Sequence, residues 1–107
     1  MNEVRLIGNL TKDVTVVTVG KKNVTKAIAC IALDSGQQTN FPLCVAWGEI
    51  GKKFAELKKG DCVKIFGSIA TNSYEKKDGQ KVYSTYVNVI NFARVERNPI
   101  EVGLLPF

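Results

Sequence analysis

Short runs of β-branched and aliphatic residues alternate with turn residues along most of the chain, which predicts a protein built mainly of β-strands. A first strand is predicted over Val4–Leu10, and after a polar bend it continues through residues 14–19. A second, longer strand is expected over residues 24–33. The polar segment 34–40 is typical of a loop, and residues 41–47 form the third predicted strand.

The hydrophobic period changes in the next segment, where Ile50, Phe54 and Leu57 fall at positions i, i+4 and i+7. This spacing places the three side chains on one face of a short helix. Gly60 can take the left-handed conformation that ends such a helix. We therefore expect one helix between the third and fourth strands.

Two further strands are predicted after the helix, joined by the turn residues Asp78-Gly79. One face of the fourth strand consists of Val63, Ile65, Gly67 and Ile69. In the fifth strand, residues 82–91, one face consists of Tyr83, Thr85, Val87 and Val89. The predicted order is three strands, the first of them bent, followed by a helix and two more strands. This is the order of a five-stranded OB-fold barrel. The sequence thus predicts an all-β fold with one short helix.

The length of 107 residues fits one compact domain, which we place at residues 1–97, followed by a short tail at 98–107. The longest apolar run, residues 27–33, is far shorter than the roughly 20 residues that a membrane helix needs. The N-terminus has no charged-then-apolar signal region. We therefore expect a cytoplasmic protein without membrane association.

Fifteen Lys and Arg against ten Asp and Glu give a net charge of +5, which makes a polyanion a reasonable first partner. The chain has no histidine, which excludes imidazole-based catalysis and His-ligated metal sites. Cys30, Cys44 and Cys62 lie in apolar runs without Cys-x-x-Cys spacing, so we interpret them as buried small hydrophobic residues. The aspartates fall in predicted turns, so we expect no enzyme and no cofactor. A small metal-dependent β-barrel nuclease is the enzymatic alternative.

Aromatic side chains are the first candidates for function, since every nucleic-acid base has a π-face on which they can stack. Phe41 and Trp47 are six residues apart on one predicted strand and therefore share a face. Tyr74 shares a face with Lys64 on the fourth strand. By pattern alone, Phe41 and Trp47 are better explained as core residues, because the opposite face of their strand carries only small residues.

The lysines cluster near the two predicted hairpins and on the predicted helix. Lysines suit phosphate contacts, but a solvated charged surface also explains them, and it explains the helical group better. The group around Asp78-Gly79 would project as a cationic finger. The candidate phosphate contacts are Lys12, Lys21, Lys22, Lys26, Lys64, Lys76, Lys77 and Lys81.

Four motifs, in order and at matching spacings, resemble the bacterial single-stranded DNA-binding proteins over roughly residues 2–95. The first two are Asn2-x-Val4-x-Leu6-Ile7-Gly8-Asn9-Leu10-Thr11-Lys12-Asp13 and Phe41-x5-Trp47-Gly48. The others are Leu57-Lys58-Lys59-Gly60-Asp61-x-Val63-x-Ile65-x-Gly67-x-Ile69-x-Thr71-x-Ser73-Tyr74 and Asp78-Gly79-x-Lys81-x-Tyr83-x-Thr85-x-Val87. The resemblance implies sequence-independent binding and protection of single-stranded DNA in replication, recombination and repair, at the nucleoid.

The resemblance also implies roles for individual residues. The family's base-stacking positions correspond to Phe41, Trp47 and Tyr74. This would put the Phe41 face outside the barrel, in contrast to the core interpretation, and Leu43 and Val45 would share it. Family members oligomerise, usually as tetramers. Phe66, on the outward face of the fourth strand, is the residue that a tetramer or dimer interface would cover.

The chain departs from the family pattern in two places. The loop at 34–40 has no aromatic residue, so a fourth stacking position found in some members is missing. The long linker and acidic tip are also missing, although Leu105-Pro106-Phe107 resembles the family's apolar tip, which docks on replication and repair proteins. These departures leave open a second interpretation, an OB-fold primosome-type accessory or protein-interaction module with secondary nucleic-acid binding.

Overall fold

Strands dominate the secondary structure, as predicted, and one short helix interrupts them. The fold is known from a computed structural model, whose described residues are 1–34 and 36–96. The predicted tail at 98–107 therefore lies outside the described residues, and with it Leu105, Pro106 and Phe107. The elements in chain order are β1 (Val4–Leu10), β2 (Thr15–Val19), β3 (Val24–Asp34), β4 (Thr39–Asn40), β5 (Leu43–Trp47), α1 (Gly48–Phe54), β6 (Cys62–Glu75) and β7 (Lys81–Val95).

Five strands close into a barrel, which confirms the predicted OB-fold architecture. They follow the order β1-β6-β7-β5-β3, and β1 returns to β3 through the pairs Asn9–Ala32 and Leu10–Ile31. Neighbouring strands in this ring are antiparallel except β5 and β7, which run parallel. β2 continues the bent first strand and pairs with β3 beyond the closed ring. It is therefore an edge strand.

Alternating strand positions and the helix fill the interior of the barrel. Val63 and Ile65 of β6 are fully buried, and α1 contributes Phe54, which is 0% exposed. The Phe54 ring packs edge-on against Phe92 of β7 at a centroid distance of 5.0 Å. Ile69, predicted on the same face of β6, is 45% exposed because β6 and β7 extend beyond the barrel as a hairpin. The predicted alternation thus holds along β6, but burial ends where the barrel ends.

The helix is shorter than predicted, since α1 ends at Phe54. The chain then turns, and the Lys58 N–H donates a hydrogen bond to Asp61 Oδ2 at 2.8 Å. Gly60 has a φ of +90°, the left-handed conformation expected of it, but it lies in this turn and not at the end of the helix. The prediction missed the early end because Leu57 is buried and continues the apolar spacing after the helical backbone has ended.

The segment 34–40 was predicted to be a loop, but its last two residues form the short strand β4. β4 pairs with the end of β3 through Leu33–Asn40 and Asp34–Thr39. The third predicted strand starts later than expected, since β5 begins at Leu43. Phe41 therefore lies just before the strand.

Gly67 lies where β6 and β7 approach too closely for a side chain, because an added Cβ would overlap the backbone oxygen of Asn88. We expect Gly67→Ala to lower the free energy of unfolding by about 1–3 kcal/mol, since the two strands must move apart. Urea unfolding measures this change. Ser68→Ala, one residue further on, is the control and should be close to neutral. Equal stability of both variants would contradict the close approach of the two strands.

Candidate nucleic-acid interface

The side chains of Phe41 and Trp47 lie outside the barrel. Phe41 is 58% and Trp47 38% exposed, whereas Cys44 and Ala46, which alternate with them, are 0% exposed. The interpretation of Phe41 and Trp47 as core residues is therefore wrong. Small residues can face inward here because larger side chains from other elements fill the barrel. These are Phe54, Ile31, Ile65 and Val63.

A cleft of about 210 Å³ opens on this outward face, and we call it the groove. Strand register sets its layout, because Lys26 of β3 pairs with Trp47 of β5, and Ile28 pairs with Val45. Val45 is only 3% exposed, so it forms an aliphatic floor between the more exposed side chains. The residues that line the groove are Lys26, Ile28, Leu43, Val45, Trp47, Asn72, Ser84 and Tyr86.

Lys26 contributes charge to the groove. Its ammonium nitrogen lies 5.1 Å from the centre of the Trp47 ring. A cation at this distance is attracted by the negative face of the indole π-system, which favours one orientation of the ring. The contact sets a positive charge beside a flat aromatic surface, the combination that suits a nucleotide with its phosphate and base.

Tyr86 is an aromatic groove residue that sequence reasoning missed. For the fifth strand, the prediction considered only the face that contains Val87 and Val89, whose side chains are buried (3% and 4% exposed). Tyr86 has the opposite parity and lines the groove with Ser84. Tyr83, on the face that the prediction followed, is 66% exposed and is not among the groove residues. Strand alternation alone could have identified Tyr86, since a tyrosine opposite a buried valine face must point outward.

Tyr74 extends the outward surface onto the β6–β7 hairpin. It is 56% exposed and lies two residues beyond the groove residue Asn72, on the same face of β6. The predicted turn is present: the Lys76 N–H donates to the Gln80 carbonyl oxygen at 2.8 Å, and Gly79 has a φ of +84°. The structure thus places Tyr74 at the base of a hairpin whose tip is cationic.

The candidate phosphate contacts surround the groove more than they line it. Among them, Lys26 lines the groove. Lys76, Lys77 and Lys81 lie at the tip of the β6–β7 hairpin, Lys21 and Lys22 in the turn between β2 and β3, and Lys12 in the bend between β1 and β2. Lys64 lines a second cleft, with Phe66, and ten residues of strand, about 33 Å, separate it from Tyr74. The structure therefore does not bring Lys64 to the groove.

Cys30 differs from the other two cysteines. Cys44 and Cys62 are buried as predicted, but Cys30 is partly exposed on the outward side of β3, where its thiol donates to the Phe41 carbonyl oxygen at 3.6 Å. Burial raises the pKa of the Cys44 thiol to about 12, so at neutral pH it stays protonated. Burial also raises the pKa of Cys62.

We expect N-ethylmaleimide to modify Cys30 in the native protein well before Cys44, because only an accessible thiolate reacts at a useful rate. Mass spectrometry of peptides after timed labelling measures the order. Labelling in denaturant is the control, and there Cys30 and Cys44 should react at similar rates. Native labelling of Cys44 as fast as Cys30 would contradict the inward placement of Cys44.

The part of the chain that the structure describes contains no group of three His, Cys, Asp or Glu residues that could hold a metal ion. Within residues 1–34 and 36–96, no helix has the length and apolar character to cross a membrane.

Known proteins share this architecture and sequence pattern. A family model described as the single-strand binding protein family matches residues 1–95. The single-stranded DNA-binding protein of Clostridium perfringens is 34% identical over 96 residues, which cover 86% of this chain and 64% of that protein. Single-stranded DNA-binding protein 1 of Streptococcus pyogenes serotype M18 is 31% identical over 109 residues, covering 91% and 80%. The crystal structure of the wild-type single-stranded DNA binding protein from Thermus aquaticus has a TM-score of 0.76 at 25% identity, covering 92% of this chain and 42% of that one.

The shared part is the barrel with its groove. The chain spans less than two thirds of the Clostridium relative and of the Thermus chain, so the correspondence concerns this domain. The matched residues 1–95 include every strand from β1 to β7, α1 and all residues that line the groove. With the same barrel in a solved relative and a family match that spans it, the chain belongs to the single-strand binding protein family.

Proposed function

We propose that the chain binds single-stranded DNA without regard to sequence, by stacking bases in the groove. The observation that carries this proposal is the outward placement of Trp47 and Tyr86 around an aliphatic floor on the sheet face. Stacking uses the π-face that every base has, so it contributes about 1–3 kcal/mol per base with little sequence preference. Phe41 and Tyr74, both exposed, extend this surface beyond the groove.

The relatives support this proposal through their names, which describe single-stranded DNA binding. A protein that covers single strands of any sequence suits the protection of DNA opened during replication, recombination and repair, and would act at the nucleoid. Its task would be binding and not catalysis.

Fluorescence anisotropy of labelled oligonucleotides tests the proposal. The protein should bind labelled oligo-dT tightly and a duplex of equal length weakly, because paired bases cannot enter the groove. Single strands of mixed sequence are the control for sequence independence, and their affinity should be close to that of oligo-dT. Equal binding of duplex and single strand would overturn the proposal.

The hairpin lysines would contact phosphates. Each phosphate neutralised on a single strand contributes about −0.7 to the slope of log K against log salt, so replacing Lys76, Lys77 and Lys81 by alanine should flatten the slope by up to about 2. Titrations at several salt concentrations measure it. The matched control replaces Lys53, Lys58 and Lys59, which changes the net charge equally in the α1 region and should flatten the slope less. An unchanged slope in the hairpin variant would leave these lysines as solubilising surface charges.

We also propose that Phe66 lies in an oligomer interface, in a tetramer or a dimer. Phe66 is partly buried on the outward face of β6, and the Arg5 guanidinium lies 5.8 Å from its ring centre. It lines a cleft of about 190 Å³ with Asn91 and Phe92, and a second copy could fill this cleft. Phe66→Lys should lower the mass measured by light scattering, and an unchanged mass would argue against the interface.

The C-terminal Leu105-Pro106-Phe107 would dock on replication or repair proteins. The support for this is its resemblance to the family's apolar tip, since the residues lie outside the described part of the chain. Deleting residues 104–107 should abolish capture of such partners and leave oligo-dT affinity nearly unchanged.

A further inference from the structure

The β6–β7 hairpin leaves the barrel at the row that pairs Ile69 with Val87, and both outer sides of this row are held. On one side, Val87 pairs with Cys44 of β5. On the other side, the side-chain amide of Asn2 donates to the Ile69 carbonyl oxygen and accepts from the Ile69 N–H, both at 2.7 Å. Continuing the register of β1 and β6 by two residues places Asn2 opposite Ile69, so this amide takes the place of a further backbone pair. We call the contact the clamp.

The part of the hairpin beyond the clamp forms one wall of the groove. Over residues 70–75 and 81–86 the two strands pair only with each other among the described residues. This part contributes Asn72, Ser84 and Tyr86 to the groove, whereas β3 and β5 of the barrel contribute the facing side chains. The width of the groove therefore depends on the angle at which the hairpin leaves the barrel.

We propose that Asn2 is a positioning residue for DNA binding, which fixes the angle of the hairpin and so the width of the groove. Asn2 does not line the groove itself and acts through β6. An asparagine suits this role because its amide carries both a donor and an acceptor, like a backbone peptide group. The register shift between Phe66 and Gly67 disrupts the pairing of β6 with β7 just before Ile69, so support from the other edge matters here. The effect on DNA rests on the proposed function, whereas the clamp does not.

Hydrogen exchange followed by NMR tests the clamp without DNA. Asn2→Ala removes the acceptor of the Ile69 N–H, so this amide should exchange about 10-fold faster or more, and the amides of residues 70–75 should also exchange faster. The amide of Ile65, earlier on β6, is the internal control for general stability and should exchange as in the wild type. Unchanged exchange at Ile69 would overturn the proposal. Faster exchange confined to Ile69 would also overturn it, because the hairpin would then keep its position without Asn2.

Anisotropy titration with oligo-dT measures the consequence for binding. Asn2→Ala should raise the Kd by about 5- to 20-fold, because a displaced hairpin takes part of the stacking surface away from the bases. Asn9→Ala is the matched control, since the Asn9 amide donates to the Gly60 carbonyl oxygen at 2.9 Å, at the end of β1 that lies away from the hairpin. Its Kd should stay within about twofold of the wild type. An unchanged Kd in Asn2→Ala, or equal rises in the two variants, would overturn the proposal.

A double-mutant cycle separates positioning from a general weakening of the protein. Tyr74 lies five residues beyond Ile69 on β6, about 17 Å away, a distance at which two substitutions normally act independently. If Asn2 places the hairpin, Asn2→Ala should raise the Kd by a smaller factor in the Tyr74→Ala protein than in the wild type. Equal factors in the two backgrounds would overturn the proposal. A wild-type protein that fails to bind oligo-dT would overturn the proposed function, and the exchange measurements would still decide whether the clamp holds the hairpin.

Discussion

Replacing Phe54 with alanine is expected to lower the free energy of unfolding by about 3–5 kcal/mol, the usual cost of deleting a buried aromatic ring. Phe54 is 0% exposed and closes the barrel from α1, where its ring contacts Phe92 edge-on. Cys44 and Ala46 belong to the same buried cluster and are too small to fill the cavity that the missing ring would leave. Urea or thermal unfolding followed by circular dichroism measures the loss.

Phe41→Ala is the matched control, because it removes the same ring from an exposed position. Phe41 is 58% exposed, so its replacement should change stability by less than about 1 kcal/mol. Similar losses of stability in the two variants would contradict the assignment of Phe54 to the core and of Phe41 to the surface.

Trp47→Ala is expected to weaken oligo-dT binding by about 1–3 kcal/mol, roughly a 5- to 150-fold rise in Kd, while the fold is kept. Its ring is 38% exposed in the groove and would lose a stacked base together with the Lys26 contact. Anisotropy titration measures the affinity, and thermal unfolding checks the fold.

Tyr86 provides a control for this prediction at a second groove position. Tyr86→Ala should weaken binding in the same range, and Tyr86→Phe should retain most of the affinity because it keeps the ring. If Trp47→Ala unfolds, or if it binds oligo-dT as tightly as the wild type, the groove is not the binding surface.

The order of strands and helix along the chain could be predicted from the sequence, because strand alternation, turn residues and the helical period agree along most of the chain. On β6, the alternation of Val63 and Ile65 predicted which face of the strand is buried, and the structure confirms it. The Asp78-Gly79 turn likewise predicted the hairpin, since Gly79 takes the positive φ that such turns require. Local rules suffice where one face of a strand is buried and the other is solvated.

The groove was harder to predict, because which face of a strand points inward depends on the volume supplied by other elements. The pattern of β5 favoured Trp47 as a core residue, since Cys44 and Ala46 look too small for the interior of a barrel. The interior is filled instead by residues such as Phe54 and Ile31, which no local pattern on β5 reveals. The family resemblance, and not the pattern, predicted the outward placement of Trp47.

Fluorescence of Trp47 during titration with oligo-dT tests the central claim most directly, because it is the single tryptophan of the chain and it lies in the groove. If bases stack on its ring, the emission should fall steeply and saturate together with the anisotropy signal of the oligonucleotide. A duplex of equal length should leave the emission nearly unchanged. Saturable binding of oligo-dT without any change in Trp47 emission would contradict the account.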